Sequence, residues 1–152
     1  MKSSESTRCK TCNAQMKIWE HQLSPGLVAS LLKFARLVRE NGENNVKFSD
    51  LVEGESVSFG TNFQKLRYWG LIAHVMEDGN RVGGRWLLTH LGGAFLRGEK
   101  LVPSHVRTWR NHIEWKSEVL VGISQFRGKL SDAEEFYQKE FPFELKDIPF
   151  QE

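Results

Sequence analysis

The chain has 152 residues and a mass of 17.5 kDa, of which 39% are apolar, 26% charged and 11% aromatic, enough for one domain with a real core. Lys and Arg number 21 against 19 Asp and Glu, a net charge of +2, and only two cysteines are present. A disulfide-stapled secreted scaffold is excluded. The polar N-terminus and the lack of any apolar run of membrane-spanning length predict a soluble, cytoplasmic protein in a reducing compartment, with no membrane partner.

The charge is unevenly spread. Residues 61–110 hold eight basic and three acidic side chains, a local net of +5, whereas residues 131–152 hold two basic and seven acidic ones, a net of −5. A basic middle and an acidic tail cancel.

Residues 1–23 read as a polar lead-in carrying Cys9 and Cys12. Ser24 and Pro25 then supply an N-cap and a first helical position, and Leu27, Leu31, Phe34 and Val38 form a stripe of period 3.6 that ends at Gly42. Val46 to Val52 predicts a brief strand running into a short helix from Ser49, and Glu53 to Ser58 a turn. The next helix is placed from about Ser58 to Thr61 through Gly70. Its wheel puts Phe63, Leu66 and Gly70 on a core side, and Thr61, Gln64, Lys65 and Tyr68 on an available side. Leu71 to Met76 and Arg81 to Thr89 predict a hairpin around Asp78-Gly79, its tip long or bulged because of Gly83-Gly84. Thr89 caps a short helix ending at Gly98.

Beyond Pro103, residues 105–115 and 119–124 read as a second hairpin turning through Lys116-Ser117-Glu118. Arg107, Trp109, Asn111, Ile113 and Trp115 lie on the side expected to pack on the core. A capping box at Ser131-Asp132-Ala133-Glu134 opens an acidic helix up to Pro142, and Phe143, Leu145, Ile148 and Phe150 in the tail are expected to pack.

This order, an α+β arrangement of helix, short helix, helix, hairpin and helix, is that of a winged helix-turn-helix. Locally, Asn62-Phe63-Gln64-Lys65-Leu66-Arg67-Tyr68-Trp69-Gly70-Leu71-Ile72 resembles a recognition helix running into the aromatic-Gly-Leu-Ile turn of winged-helix regulators. Leu88-Thr89-His90-Leu91-Gly92-Gly93-Ala94-Phe95-Leu96-Arg97-Gly98 is similar to the helix that follows the wing in many of them. The resemblance covers residues 24–98, flanked by the cysteine segment at 1–23 and an extension at 99–152. It implies a DNA-binding transcription regulator or accessory factor, with helix 61–70 in the major groove and a wing at 77–85 on the backbone. Gln64 suits adenine, Lys65 and Arg67 suit guanine or phosphate, and Tyr68 shares their side. Thr61 and Asn62 at the helix start offer backbone amides to phosphate, and Arg81 and Arg85 add charge from the wing. The same helix also fits a winged-helix adaptor that docks on protein, or a simply solvated amphipathic helix. Trp69 and Trp86, at element boundaries among apolar neighbours, read as core anchors.

The Cys9-Lys10-Thr11-Cys12-Asn13 unit has zinc-knuckle spacing, with His21 as a third ligand for Zn2+ and a fourth to come from another histidine or a second chain. Two reduced thiols and a redox pair are the other readings. No phosphate loop, nucleophile elbow or His-Glu-x-x-His motif is present, so the reading is non-enzymatic. For residues 99–152 the alternatives are a cover over one face of the domain, or a homodimerisation or partner-docking element whose acidic tail competes for the basic centre.

Overall fold

The computed structural model describes residues 2–8, 15–110, 112–129, 141 and 144–146, an α+β protein with three antiparallel sheets among them. In chain order the elements are β1 (Lys2–Arg8), β2 (Gln15–Gln22), α1 (Pro25–Asn41), β3 (Val46–Lys47), α2 (Phe48–Val52) and α3 (Val57–Lys65). A 3-10 turn (Leu66–Trp69) leads into β4 (Ile72–Glu77), β5 (Asn80–Leu88) and α4 (His90–Leu96). Then come β6 (Val102–Pro103), β7 (His105–Trp109), β8 (His112–Lys116), β9 (Leu120–Val121) and a second 3-10 turn (Ile123–Lys129).

α1 forms where its sequence says it should. The Ser24 hydroxyl accepts from the Leu27 N–H at 3.3 Å, Pro25 presets the first turn, and Gly42 closes the helix in the left-handed region at φ 71°. Its inner face, Leu31, Phe34 and Val38, is wholly buried. Phe34 meets Phe63 of α3 at 4.9 Å between ring centroids, and Phe63 meets the edge of Trp86 from β5 at 5.6 Å. Trp69 and Trp86 are both core residues, as expected of them. The Trp69 indole N–H donates to the Pro103 carbonyl at 2.7 Å.

β3, β5 and β4 make a sheet in that order. Asp78 and Gly79, at φ 51° and 80°, form the tight turn that Asp-Gly favours, and β5 bulges between its pairings with His74 and Met76, in the stretch holding Gly83-Gly84. Asn44 extends the β3 edge with its side chain. Its Nδ2 donates to the Leu88 carbonyl at 2.8 Å while its Oδ1 accepts from the Leu88 N–H at 2.7 Å.

The flanks differ most from expectation. The lead-in is not merely polar coil: β1 and β2 pair, and β2 pairs with β7, giving a sheet of order β1-β2-β7-β8 that joins the N-terminal segment to the β7–β8 hairpin. The second hairpin turns earlier than its sequence suggested. β7 and β8 pair directly, Trp109 opposite His112, with Arg110 at φ 50° in the connection, and β9 pairs with β6 instead. The expected core side is also reversed, except at Ile113, which packs against the core. Val106 and Thr108 are buried, while Arg107 and Trp109 are only half-buried and Trp115 is exposed. β2 supplies the reason, because His21 packs on the Val106 and Thr108 face and leaves the aromatic face outward. Leu145 is buried against α4, whereas Asn111, the acidic helix, Phe143, Ile148 and Phe150 fall outside the described residues.

Gly92 and Gly93 admit this packing. A Cβ on Gly92 would overlap the Leu71 carbonyl oxygen and lie 2.8 Å from Leu88 Cδ1, and one on Gly93 would lie 2.5 Å from Leu145 Cδ1. Gly92→Ala therefore lowers stability by about 2 kcal/mol, overpacking outweighing the better helix propensity of alanine, a fall of several degrees in Tm. Gly83→Ala, at a site with nothing within 4 Å, leaves the melting curve in place. Thermal melts of the two variants check this.

Candidate nucleic-acid interface

α3 begins at Val57, one to four residues before the start expected at Ser58 to Thr61. Ser56 is the N-cap, its hydroxyl accepting from the Phe59 N–H at 3.3 Å. Thr61 and Asn62 therefore sit in the body of the helix, where backbone N–H groups bond to preceding carbonyls, and the idea that their amides bind phosphate is overturned. Gly60 lets α2 approach, since a Cβ there would lie 2.9 Å from Phe48 Cζ.

The available side of this helix divides in two. Thr61 and Gln64, together with Phe48, Val52, Glu55, Val57 and Gly60, line an open hollow of about 300 Å³. Val57, at 91% exposure, is the most exposed large apolar side chain among the described residues. Glu55 on this rim is paired with Lys33 at 3.0 Å. Asn62 and Lys65 turn the other way, toward β2, and with His21, Gln22, Ser24 and Leu27 line a smaller pocket of about 180 Å³. Lys65 Nζ donates to Asn62 Oδ1 at 3.1 Å, and burial holds its ammonium below the usual lysine value.

Tyr68 is not on the available side. It is 6% exposed and stacked on the His21 ring, 4.9 Å between centroids and 27° between planes. Two physical effects defeat the helical wheel here. The helix tightens to three residues per turn over Leu66–Trp69, which moves Tyr68 round the axis, and β2 covers it from a distant part of the sequence. Arg67 spans the edge of this stack: Nη1 donates to the Gln64 carbonyl at 2.7 Å, Nη2 to the Tyr68 hydroxyl at 3.1 Å, and the guanidinium lies 4.5 Å from the ring centroid.

On the hairpin, Arg81 is exposed beside the turn, and Arg85 Nη1 donates to Asn45 Oδ1 at 3.0 Å. Arg85 stands opposite Lys47 in the β3–β5 pairing, so the exposed Lys47 belongs to this surface. Sequence reasoning missed Lys47, because only strand pairing across about forty residues brings it beside Arg85.

Two histidines report the field between these groups. Burial, then the cations of Lys65 and Arg67, push His21 down to about 4. Burial, then Arg81 and Arg67, push His74 down to about 4, and its ring lies 4.0 Å from that of Trp86. Arg67, in the 3-10 turn, contributes to lowering both histidines. His21 is buried with Nε2 at 2.8 Å from the Thr108 hydroxyl. Cys9 and Cys12, grouped with it as candidate zinc ligands, lie outside the described residues, and no cluster of three or more metal-ligating side chains occurs among the described ones. Among the described residues no helix is long and apolar enough to cross a membrane.

Comparison with family models, with curated proteins and with solved structures finds no match to this chain.

Both imidazoles bind a proton more weakly folded than unfolded, so protonation favours the unfolded chain. Stability is at its full value above about pH 7 and falls as the pH drops from about 6.5 toward 4. Thermal melts between pH 7.5 and 5 will show a declining Tm, and the double variant His21→Gln with His74→Gln will flatten that decline.

Proposed function

We propose that residues 24–98 form a winged-helix unit that binds double-stranded DNA, as a transcription regulator or an accessory factor. The support is the order of α1, β3, α2, α3, β4, β5 and α4, with the sheet order β3-β5-β4 and a hairpin whose tip stands out in solvent. The observation that carries the reading is the hairpin geometry: the β3–β5 pairing sets the exposed Lys47 opposite Arg85, on the same hairpin as the exposed Arg81. A duplex laid across that region would meet cations from both elements, as phosphate contacts require.

In this reading Thr61, Gln64 and the exposed Val57 face the base edges. Gln64 offers a bidentate pair to adenine, and the Thr61 and Val57 methyl groups suit the thymine methyl. Asn62, Lys65 and Arg67 flank them toward the backbone, while Arg81, Arg85 and Lys47 take the phosphates beside the hairpin. Tyr68 contributes by holding Arg67 in place, not by touching DNA.

A salt titration of binding to a random-sequence duplex, followed by selection of any enriched motif, tests this. Arg81→Ala and Lys47→Ala each weaken binding and reduce the slope of log affinity against log salt by roughly one. Gln64→Ala instead relaxes the selected motif and leaves the slope in place.

The hollow beside Val57 favours a second reading, an adaptor that docks on a protein partner through Phe48, Val52 and Val57. An absence of duplex binding at low salt, combined with loss of a captured partner in Val57→Asp, decides for it.

A further inference from the structure

The outer face of the β1-β2-β7-β8 sheet carries chemistry that duplex binding does not use. Strand alternation and pairing place Glu20 of β2, Arg107 and Trp109 of β7, and Trp115 of β8 on this face. The Arg107 guanidinium lies 4.6 Å from the Trp115 ring centroid, and its Nε donates to Glu20 Oε1 at 3.1 Å. Next along the strand, the Arg110 guanidinium lies 4.9 Å from the Trp109 centroid. Trp115 is 41% exposed and Arg110 is exposed. The extra residue of β8, Glu114, is what separates the faces: it turns Ile113 inward against the core while Trp115 turns out.

Burying two indoles against the core is the ordinary fate of tryptophan in a sheet, and this sheet does it with neither. It presents them instead, each already in contact with a guanidinium. Arg107 and Trp109 are two residues apart on one strand, a rise of about 7 Å, so the two aromatic-cation pairs lie side by side on one antiparallel face. This face carries Arg107 and Arg110 against Glu20, which leaves a net positive charge beside the rings. A ligand that offers π-faces and negative charge along one flexible strand matches both properties, and a duplex, whose bases are stacked away inside it, does not.

We infer that this sheet face binds single-stranded nucleic acid, bases stacking on Trp109 and Trp115 while Arg107 and Arg110 meet the phosphates. The site is separate from Thr61, Gln64, Arg81 and Lys47 and does not depend on the duplex reading. Stacking gives it little sequence preference, since every base has a ring face.

The test is fluorescence anisotropy of the full-length protein on labelled oligothymidine and oligouridine of twenty nucleotides, with sedimentation of the same samples. Trp115→Ala is expected to weaken binding to the single strand about tenfold or more, the usual worth of one stacked base, with duplex binding unchanged. Arg110→Asn removes the cation yet tolerates the left-handed turn, so it weakens the same binding without unfolding the hairpin. Lys47→Ala and Arg81→Ala leave it intact. Absence of single-strand binding at low salt overturns the inference, as does full affinity in Trp115→Ala. A self-association of the protein that Trp115→Ala abolishes also overturns it, assigning the face to a second copy of this chain.

Discussion

The position of the hairpin against the helices depends on Thr89. Its hydroxyl donates to the Gly70 carbonyl at 2.6 Å and accepts from the Gly92 N–H at 3.0 Å, and its own N–H donates to the Leu71 carbonyl at 3.2 Å. One residue therefore caps α4, satisfies the carbonyl at the exit of the 3-10 turn, and fastens the end of β5 to the start of β4. Gly92 is its necessary companion, because only a residue without a Cβ leaves the Leu71 carbonyl room to face that turn. This junction fixes where β4 leaves the 3-10 turn and so where the hairpin with Arg81 and Arg85 stands.

Holding cations near one another on a surface is costly, and the protein limits the cost by keeping the groups beneath them neutral. Burial first, and the nearby arginines and, for His21, Lys65 second, favour the neutral forms of His21 and His74. Each ring remains useful as a flat apolar body, His21 against Tyr68 and His74 against Trp86. A positive surface backed by neutral aromatic stacks keeps its charge outward, where an anionic ligand can lower its energy.

What could be read from the sequence was what local chemistry decides. The cap at Ser24, the left-handed stop at Gly42, the Asp78-Gly79 turn and the Thr89 cap each depend on a few adjacent residues, and each stands where those residues placed it. Candidate interface residues on the hairpin, Arg81 and Arg85, followed from the turn. Errors arose where a remote strand intervenes. Tyr68 reads as exposed until β2 is laid over it, and Trp109 and Trp115 read as core until the same strand claims the Val106 side of the sheet. Polar residues of β2 such as Gln15, Lys17 and Glu20 carry no strand signal of their own; β2 exists because β7 and β1 pair with it. Lys47 belongs with Arg85 for the same reason.

That pairing also explains how one short strand serves two surfaces. Thr108 points inward and meets His21, which stacks on Tyr68, whose hydroxyl accepts from Arg67 at the candidate duplex interface. Arg107, its neighbour, points outward to Glu20 and Trp115. The two-residue period of a strand sends successive side chains to opposite faces, so a single strand can brace a helical interface from behind while presenting an aromatic one in front. Neither flank does this alone: β2 without β7 loses the Thr108 hydroxyl that His21 meets, and β7 without β2 loses the residues that cover its Val106 side.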